Sequence, residues 1–167
     1  GNQNFDATGA VALFDGNIKL SKSSGKVYLT SPVTLDAASQ SMIFSSGILV
    51  STASNILNFG DNVTVSGAGN TSFVDGPVKK TGNDVFTFPI GKNDTIYAPL
   101  RISAPSVTSD EFIAEYFRGD PDPLYSRSSK DASIINVSAC EYWGLSRNTG
   151  SSSVAVNLSF GNVRSCG

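Results

Sequence analysis

Histidine is absent from this chain of 167 residues. Its absence removes the commonest general base and the commonest transition-metal side-chain ligand together. Ser–His and Cys–His nucleophiles are excluded with it, and there is no Gly-rich loop of the phosphate-cradling kind. Glutamate is confined to Glu111, Glu115 and Glu141, whereas helical proteins usually carry more Glu, Lys, Leu and Ala than this. The net charge is −2. A nucleic-acid partner is therefore not expected, because phosphate binding needs clustered Lys and Arg. No apolar run approaches membrane-spanning length, so direct membrane insertion is not expected either. The opening Gly1-Asn2-Gln3-Asn4-Phe5 lacks a starting Met, a basic region and a signal core, and reads as a processed or excised fragment.

Cysteine is nearly absent: only Cys140 and Cys166 occur. An even count in a chain rich in Ser, Thr and Asn suggests a disulfide formed outside the cytoplasm. Closing that loop would contribute roughly 3–4 kcal/mol on the chain-entropy model. The alternative is a pair of buried free thiols.

What the chain does have is Val, Ile, Phe and Thr punctuated by Gly, the composition of a β protein. Apolar pairs at i and i+2 fall at Ala12/Phe14, Ile18/Leu20, Val27/Leu29, Val33/Leu35, Met42/Phe44, Ile48/Val50, Leu57/Phe59 and Val63/Val65. The steps between pairs alternate six and nine residues, a period of fifteen. Turn-formers sit at fixed places in the repeat, as in Asp15-Gly16-Asn17, Thr30-Ser31-Pro32, Ser45-Ser46-Gly47, Gly60-Asp61-Asn62 and Asp75-Gly76-Pro77. A constant period without reversal predicts parallel, in-register stacking: a short β-solenoid of about five 15-residue coils over residues 1–82, roughly 24 Å long. The competing arrangement is an antiparallel meander with regular loops. The fifth coil has decayed, since Ser72/Val74 and Val78/Lys80 keep only half of the apolar positions.

Two outward columns follow from that phase. Lys19, Thr34, Leu49, Thr64 and Lys79 read as solvated surface, too mixed for the flat Thr ladder of an ice-binding face. The other column, Leu13, Tyr28, Ile43, Asn58 and Phe73, is mostly apolar. A bare stripe of Leu13, Tyr28, Ile43 and Phe73 would be a solubility hazard, so the second half of the chain or a partner is expected to cover it.

Beyond Thr81 the rhythm is lost. Longer strand candidates occupy 85–89, 97–102, 111–117, 140–145 and 153–160, and aromatics alternate along them. They predict an antiparallel β-sandwich over residues 83–167, with a long surface loop at 119–136. No flexible linker separates the halves, so they are expected to pack together.

The run Ser72-Phe73-Val74-Asp75-Gly76-Pro77-Val78-Lys79-Lys80-Thr81-Gly82, followed by Phe86-Thr87-Phe88-Pro89-Ile90-Gly91-Lys92, resembles a module of large secreted and cell-surface proteins of Bacteroidota. Tyr97-Ala98-Pro99-Leu100, Ala114-Glu115-Tyr116-Phe117 and Cys140-Glu141-Tyr142-Trp143 are similar to later segments of that module, and residues 47–67 to its lead-in. The resemblance implies export through the type IX secretion system, an extracellular or cell-surface location, and no assigned catalysis. Such proteins typically carry a C-terminal sorting domain, which is not found in this stretch. Asp94-Thr95-Ile96 also resembles the Asp-Ser/Thr-apolar signal for O-glycosylation in that phylum, which makes Thr95 a modification candidate.

Individual sites add little chemistry. Glu111 and Glu115 share a strand face but would lie about 13 Å apart along it, too far for a glycosidase pair. Asp120-Pro121-Asp122 is a calcium candidate through Asp120 and Asp122, with a stiff surface turn as the alternative. Tyr116, Tyr142 and Trp143 are candidate glycan contacts. Tyr142 and Trp143 must, however, point to opposite faces of their strand, so at least one belongs to the core. The expectation is thus an all-β, non-catalytic structural or adhesive module without cofactor. Its partners would be other modules of the same polypeptide, surface glycans or another protein. The alternative is a carbohydrate-binding module attached to a secreted glycan-degrading enzyme.

Overall fold

The computed structural model describes residues 1–7 and 16–161. Within them the chain is all β, with fifteen strands and no helix. The first half runs through β1 (Gln3–Phe5), the long β2 (Ile18–Leu29), β3 (Val33–Leu35), the long β4 (Ser41–Val50), β5 (Leu57–Phe59), β6 (Thr64–Ser66), β7 (Ser72–Asp75) and β8 (Val78–Thr81). The second comprises β9 (Phe86–Phe88), β10 (Ile90–Lys92), β11 (Ile96–Tyr97), β12 (Leu100–Ile102), β13 (Glu111–Arg118), β14 (Glu141–Thr149) and β15 (Val156–Leu158). Strands form within 85–89 and 153–160 and extend past 111–117 and 140–145, whereas the one expected at 97–102 is broken between β11 of the first sheet and β12 of the third.

Three sheets result. The first is ordered β1-β2-β4-β7-β10-β11, with β6 also on β4; it is parallel up to β10, and β11 closes it as an antiparallel hairpin. The second runs β3-β5-β8 in parallel and continues antiparallel through β13 and β14. The third is the small antiparallel set β9-β12-β15.

Parallel stacking is present, but its period is not fifteen. Gln3 pairs with Val27, Ile18 with Met42 and Val33 with Leu57, each 24 residues on, and Leu57 pairs with Val78 at 21. Ile18/Leu20, Val27/Leu29, Val33/Leu35, Met42/Phe44 and Leu57/Phe59 do lie on strands and face the core, whereas Ile48/Val50 yields its inward place to Leu49 and Ala12/Phe14 lies outside the described residues. The long β2 carries both Ile18/Leu20 and Val27/Leu29 in the first sheet, and Val33/Leu35 then crosses to the second. Three steps thus separate a strand from its parallel neighbour, and alternating steps of nine and six residues total 24 or 21.

The phase also changes once. At Gly47 φ is 92°, and a Cβ there would meet the Lys22 Cβ at 2.8 Å. The β2–β4 register shifts on either side of this region, and a one-residue slip exchanges the faces of everything beyond it. Leu49, expected in solvent, is core, while its neighbour Ile48 is paired with Phe73. The expected stripe is therefore dispersed: Tyr28 pairs with Val50, Ile43 with Lys19, and Phe73 with Ile48. Leu13 lies outside the described residues. Phe73 is nonetheless fully buried, its ring 6.5 Å from Tyr97 of the β10–β11 hairpin, so the second half does cover it.

A single hydrophobic cluster fills the interior, and strands from both sides of residue 82 contribute to it. Leu35, Leu57, Phe59 and Val78 of the second sheet and Met42, Phe44, Leu49 and Val74 of the first belong to it, together with Phe86, Phe88, Leu100, Ile102 and Tyr116 from the second half. Phe59 lies 5.4 Å from Phe86, which itself packs edge-on to Phe88. Lys80 takes an inward position of the decayed repeat and is wholly buried. Its ammonium group reaches Asp84 at 2.6 Å and the Gly60 carbonyl at 2.5 Å, and lies over the Phe86 ring. A buried charge is tolerated only with such pairing.

The register predicts which positions can be cross-linked. Lys19→Cys with Ile43→Cys, ladder partners, should form a disulfide under mild oxidation, because adjacent strands bring Cα atoms within bonding range. Lys19→Cys with Thr34→Cys, one 15-residue step apart, should not. Peptide mapping by mass spectrometry reads both, and the opposite result would restore the shorter period.

Candidate functional site

The β13–β14 pair carries the aromatic residues that the sequence singles out. Phe112, Ala114 and Tyr116 alternate into the core from β13. Across the ladder Tyr116 meets Trp143, and Phe117 meets Tyr142, so the two aromatic pairs lie on opposite faces as strand alternation requires.

The inner pair is structural. Tyr116 is fully buried with its ring 5.2 Å from Trp143, and its hydroxyl donates to Glu141 Oε2 at 2.6 Å. Glu141 is buried too, with the Arg118 guanidinium 3.9 Å away. Burial, reinforced by the Glu141 carboxylate, pushes the Tyr116 phenol up to about 12. The half-buried Trp143 donates its indole N–H to the Ala98 carbonyl at 2.9 Å. Tyr116 is therefore corrected from glycan contact to core residue, because a ring without exposure cannot meet a sugar. Trp143 is tied to the core by the same packing, and its remaining exposed surface lines the cleft beside the loop that follows β13.

The outer pair is different. Tyr142 stacks on Phe117 at 4.7 Å with the planes 11° apart. Gly144 makes room for this, since a Cβ there would come within 3.3 Å of the Phe117 ring. From the loop after β13, Tyr125 meets Tyr142 edge-on, with centroids 6.2 Å apart and planes at 70°. Between loop and strand lies a cleft of about 600 Å³, lined among others by Tyr125, Ser126, Ser129, Lys130, Asp131 and Tyr142.

The loop is held by its own polar groups. Gly119 N–H donates to the Cys140 carbonyl, and the amides of Leu124 and Tyr125 donate to Pro121. Asp120 and Asp122 do converge, but on Arg127: its guanidinium lies 2.9 Å from Asp120, and its amide donates to Asp122 at 2.7 Å. A side-chain cation already occupies the place assigned to calcium, which corrects that candidate. Among the described residues no group of three or more Cys, Asp or Glu gathers as a metal site would require. Asp131 accepts from the amide and hydroxyl of Ser133, which hold its carboxyl below the usual range.

Glu111 and Glu115 separate onto different lysines. Glu111 binds Lys79 at 2.9 Å and accepts from Asn148 and Thr149, and Lys79 holds its carboxyl below the ordinary value. Burial pushes Glu115 up, against the opposing pull of Lys92 at 3.8 Å. Lys92 also binds Asp75 at 2.8 Å, and Lys26 pairs with Asp94 at the β10–β11 turn. Thr95 is exposed at that turn, where Asn93 and Asp94 adopt positive φ. It borders a polar cleft shared with Lys22, Lys26, Tyr28 and Asn70. Cys140 immediately precedes β14, and Cys166 lies outside the described residues.

Sequence reasoning missed Phe117 and Tyr125 as partners of Tyr142. The available signal was the apolar pair Leu124-Tyr125 beside the polar run Ser126–Asp131. Compared with protein-family models, curated proteins and solved structures, the chain matches none.

The Tyr116 environment predicts an alkaline signature. A phenol ionises near 10 in an unfolded chain, whereas folding raises that of Tyr116 to about 12. Its stabilising contribution is then complete below pH 10 and falls away between 10 and 12, where the unfolded state loses the proton first. Ultraviolet titration should show a tyrosine ionising near 12 that disappears in Tyr116→Phe, distinct from Tyr97, whose phenol burial also raises. Titration of every tyrosine near 10 in the folded protein would contradict the burial.

Proposed function

We propose that this chain is a non-catalytic structural or adhesive module of a secreted or cell-surface bacterial protein. One observation carries the reading: strands from both halves share two sheets and one core, while the exposed apolar side chains concentrate elsewhere. Among the described residues, five of the ten large exposed hydrophobic ones, Leu124, Tyr125, Ile134, Ile135 and Val137, fall on the loop between β13 and β14. A rigid frame that presents one apolar loop suits display better than turnover, since exposed apolar patches mark interaction surfaces.

In this reading the parallel circuits form a short β-solenoid with coils of 21–25 residues, and the antiparallel strands of the second half close its end as a sandwich-like cap. The resemblance of residues 47–167 to type IX cargo modules of Bacteroidota supports an extracellular location. Other modules of the same polypeptide would be the immediate neighbours. Thr95, exposed on its turn, is accessible for O-linked modification.

Two measurements test this. On intact cells of the native host, antibodies to the module should label the surface and external trypsin should remove the signal; an exclusively cytoplasmic protein overturns the reading. The location also predicts a Cys140–Cys166 disulfide. Alkylation of the unreduced, denatured protein should leave both thiols unlabelled, and reduction should expose two.

A further inference from the structure

We infer that the cleft between the 119–140 loop and β14, the edge strand of its sheet, binds a neutral oligosaccharide, with Tyr125 and Tyr142 as its aromatic platform. This rests on the reading of the chain as a surface module and assigns that module a ligand class.

The geometry separates a sugar from other occupants. Tyr125 is 67% exposed although its ring already meets Tyr142 edge-on. Tyr142 is immobilised by flat stacking on Phe117, so the floor is preorganised rather than assembled on binding. A pyranose offers the complementary surfaces: a face of C–H bonds for an aromatic ring and a rim of hydroxyls that both donate and accept. The lining supplies both kinds of partner: apolar surface from Ile134, Val137 and Trp143, and polar groups on Ser126, Ser129, Lys130 and Asp131, of which Lys130 also donates to the Ile134 carbonyl and Asp131 also accepts from Ser133.

Size and charge narrow the class. At about 600 Å³ the cleft lies within the range of small-ligand sites, roughly 300–1,000 Å³. A stable protein interface instead needs about 800 Å² from each partner and a core depleted of charge. Lys130 is balanced by Asp131 and Glu141 in the lining, which leaves no positive excess for a polyanion such as a nucleic acid or a sulfated glycan.

Native electrophoresis through gels containing xylan, mixed-linkage β-glucan, glucomannan, galactan, starch or hydroxyethyl cellulose tests the inference. At least one neutral polysaccharide should retard the intact chain. Tyr125→Ala should weaken that retardation about tenfold or more, a loss of roughly 1.4 kcal/mol or above, and Tyr125→Phe should keep most of it. Phe160→Ala, exposed on a different part of the surface, should behave as the unsubstituted chain. No retardation by any of the six, or retardation indifferent to Tyr125→Ala, overturns the site but leaves the surface-module reading standing. Release of new reducing ends from a retained polysaccharide would overturn the non-catalytic reading and leave the binding site in place.

Discussion

The first two sheets depend on parallel strands held in register so that inward side chains stack on one another from strand to strand. Val33 lies beside Leu57 and Leu57 beside Val78, while Leu35 lies beside Phe59. The ladder hydrogen bonds fix the spacing between these residues, so each inward position must tolerate neighbours on both sides. Turns must then meet the next circuit without a side chain in the way. Gly76, with φ at 132°, is such a place: a Cβ there would lie 2.2 Å from the Ser51 carbonyl oxygen. Lys80 shows the limit of tolerance, keeping an inward position only because Asp84 and Gly60 satisfy its ammonium group.

The second half depends on the same ladders. Ile90 continues the first sheet beside Val74, and residues 111–114 continue the second beside Lys80 and its neighbours. Ion pairs tie these additions down, with Lys92 between Asp75 and Glu115 and Lys26 between Asp75 and Asp94. Exposed pairs of this kind are worth little individually, about 0–1 kcal/mol each. Their effect is to orient the hairpin that covers Phe73 and to hold β13 against the first sheet.

The candidate site follows from where that extension stops. β14 is the terminal strand of its sheet, and its alternation divides the aromatic residues. Tyr116 and Trp143 secure the inner face through Glu141 and the Ala98 carbonyl. Tyr142 and Phe117 are left on the outer one, where the loop brings Tyr125 against them. One strand thus packs on the core with alternate residues and leaves Tyr142 among the others to meet the loop.

Much of this was legible in the chain itself. Apolar spacing placed nearly every strand, because the two-residue period of a strand is a local property. The same alternation required Tyr142 and Trp143 to diverge. The number of apolar pairs per circuit was not legible, since a polar corner looks the same whether the chain closes after two pairs or three. The exchange of faces at Gly47 was hidden for a similar reason: a register slip arises between strands and leaves no mark on either one alone. Nor could spacing bring Tyr125 to Tyr142, or Arg127 between Asp120 and Asp122, because loop side chains have no period. Local sequence determined which segments are strands and which side chains alternate. Only the tertiary structure decided which strands are neighbours and which alternate faces are buried, because pairing is settled by the joint packing of one shared core.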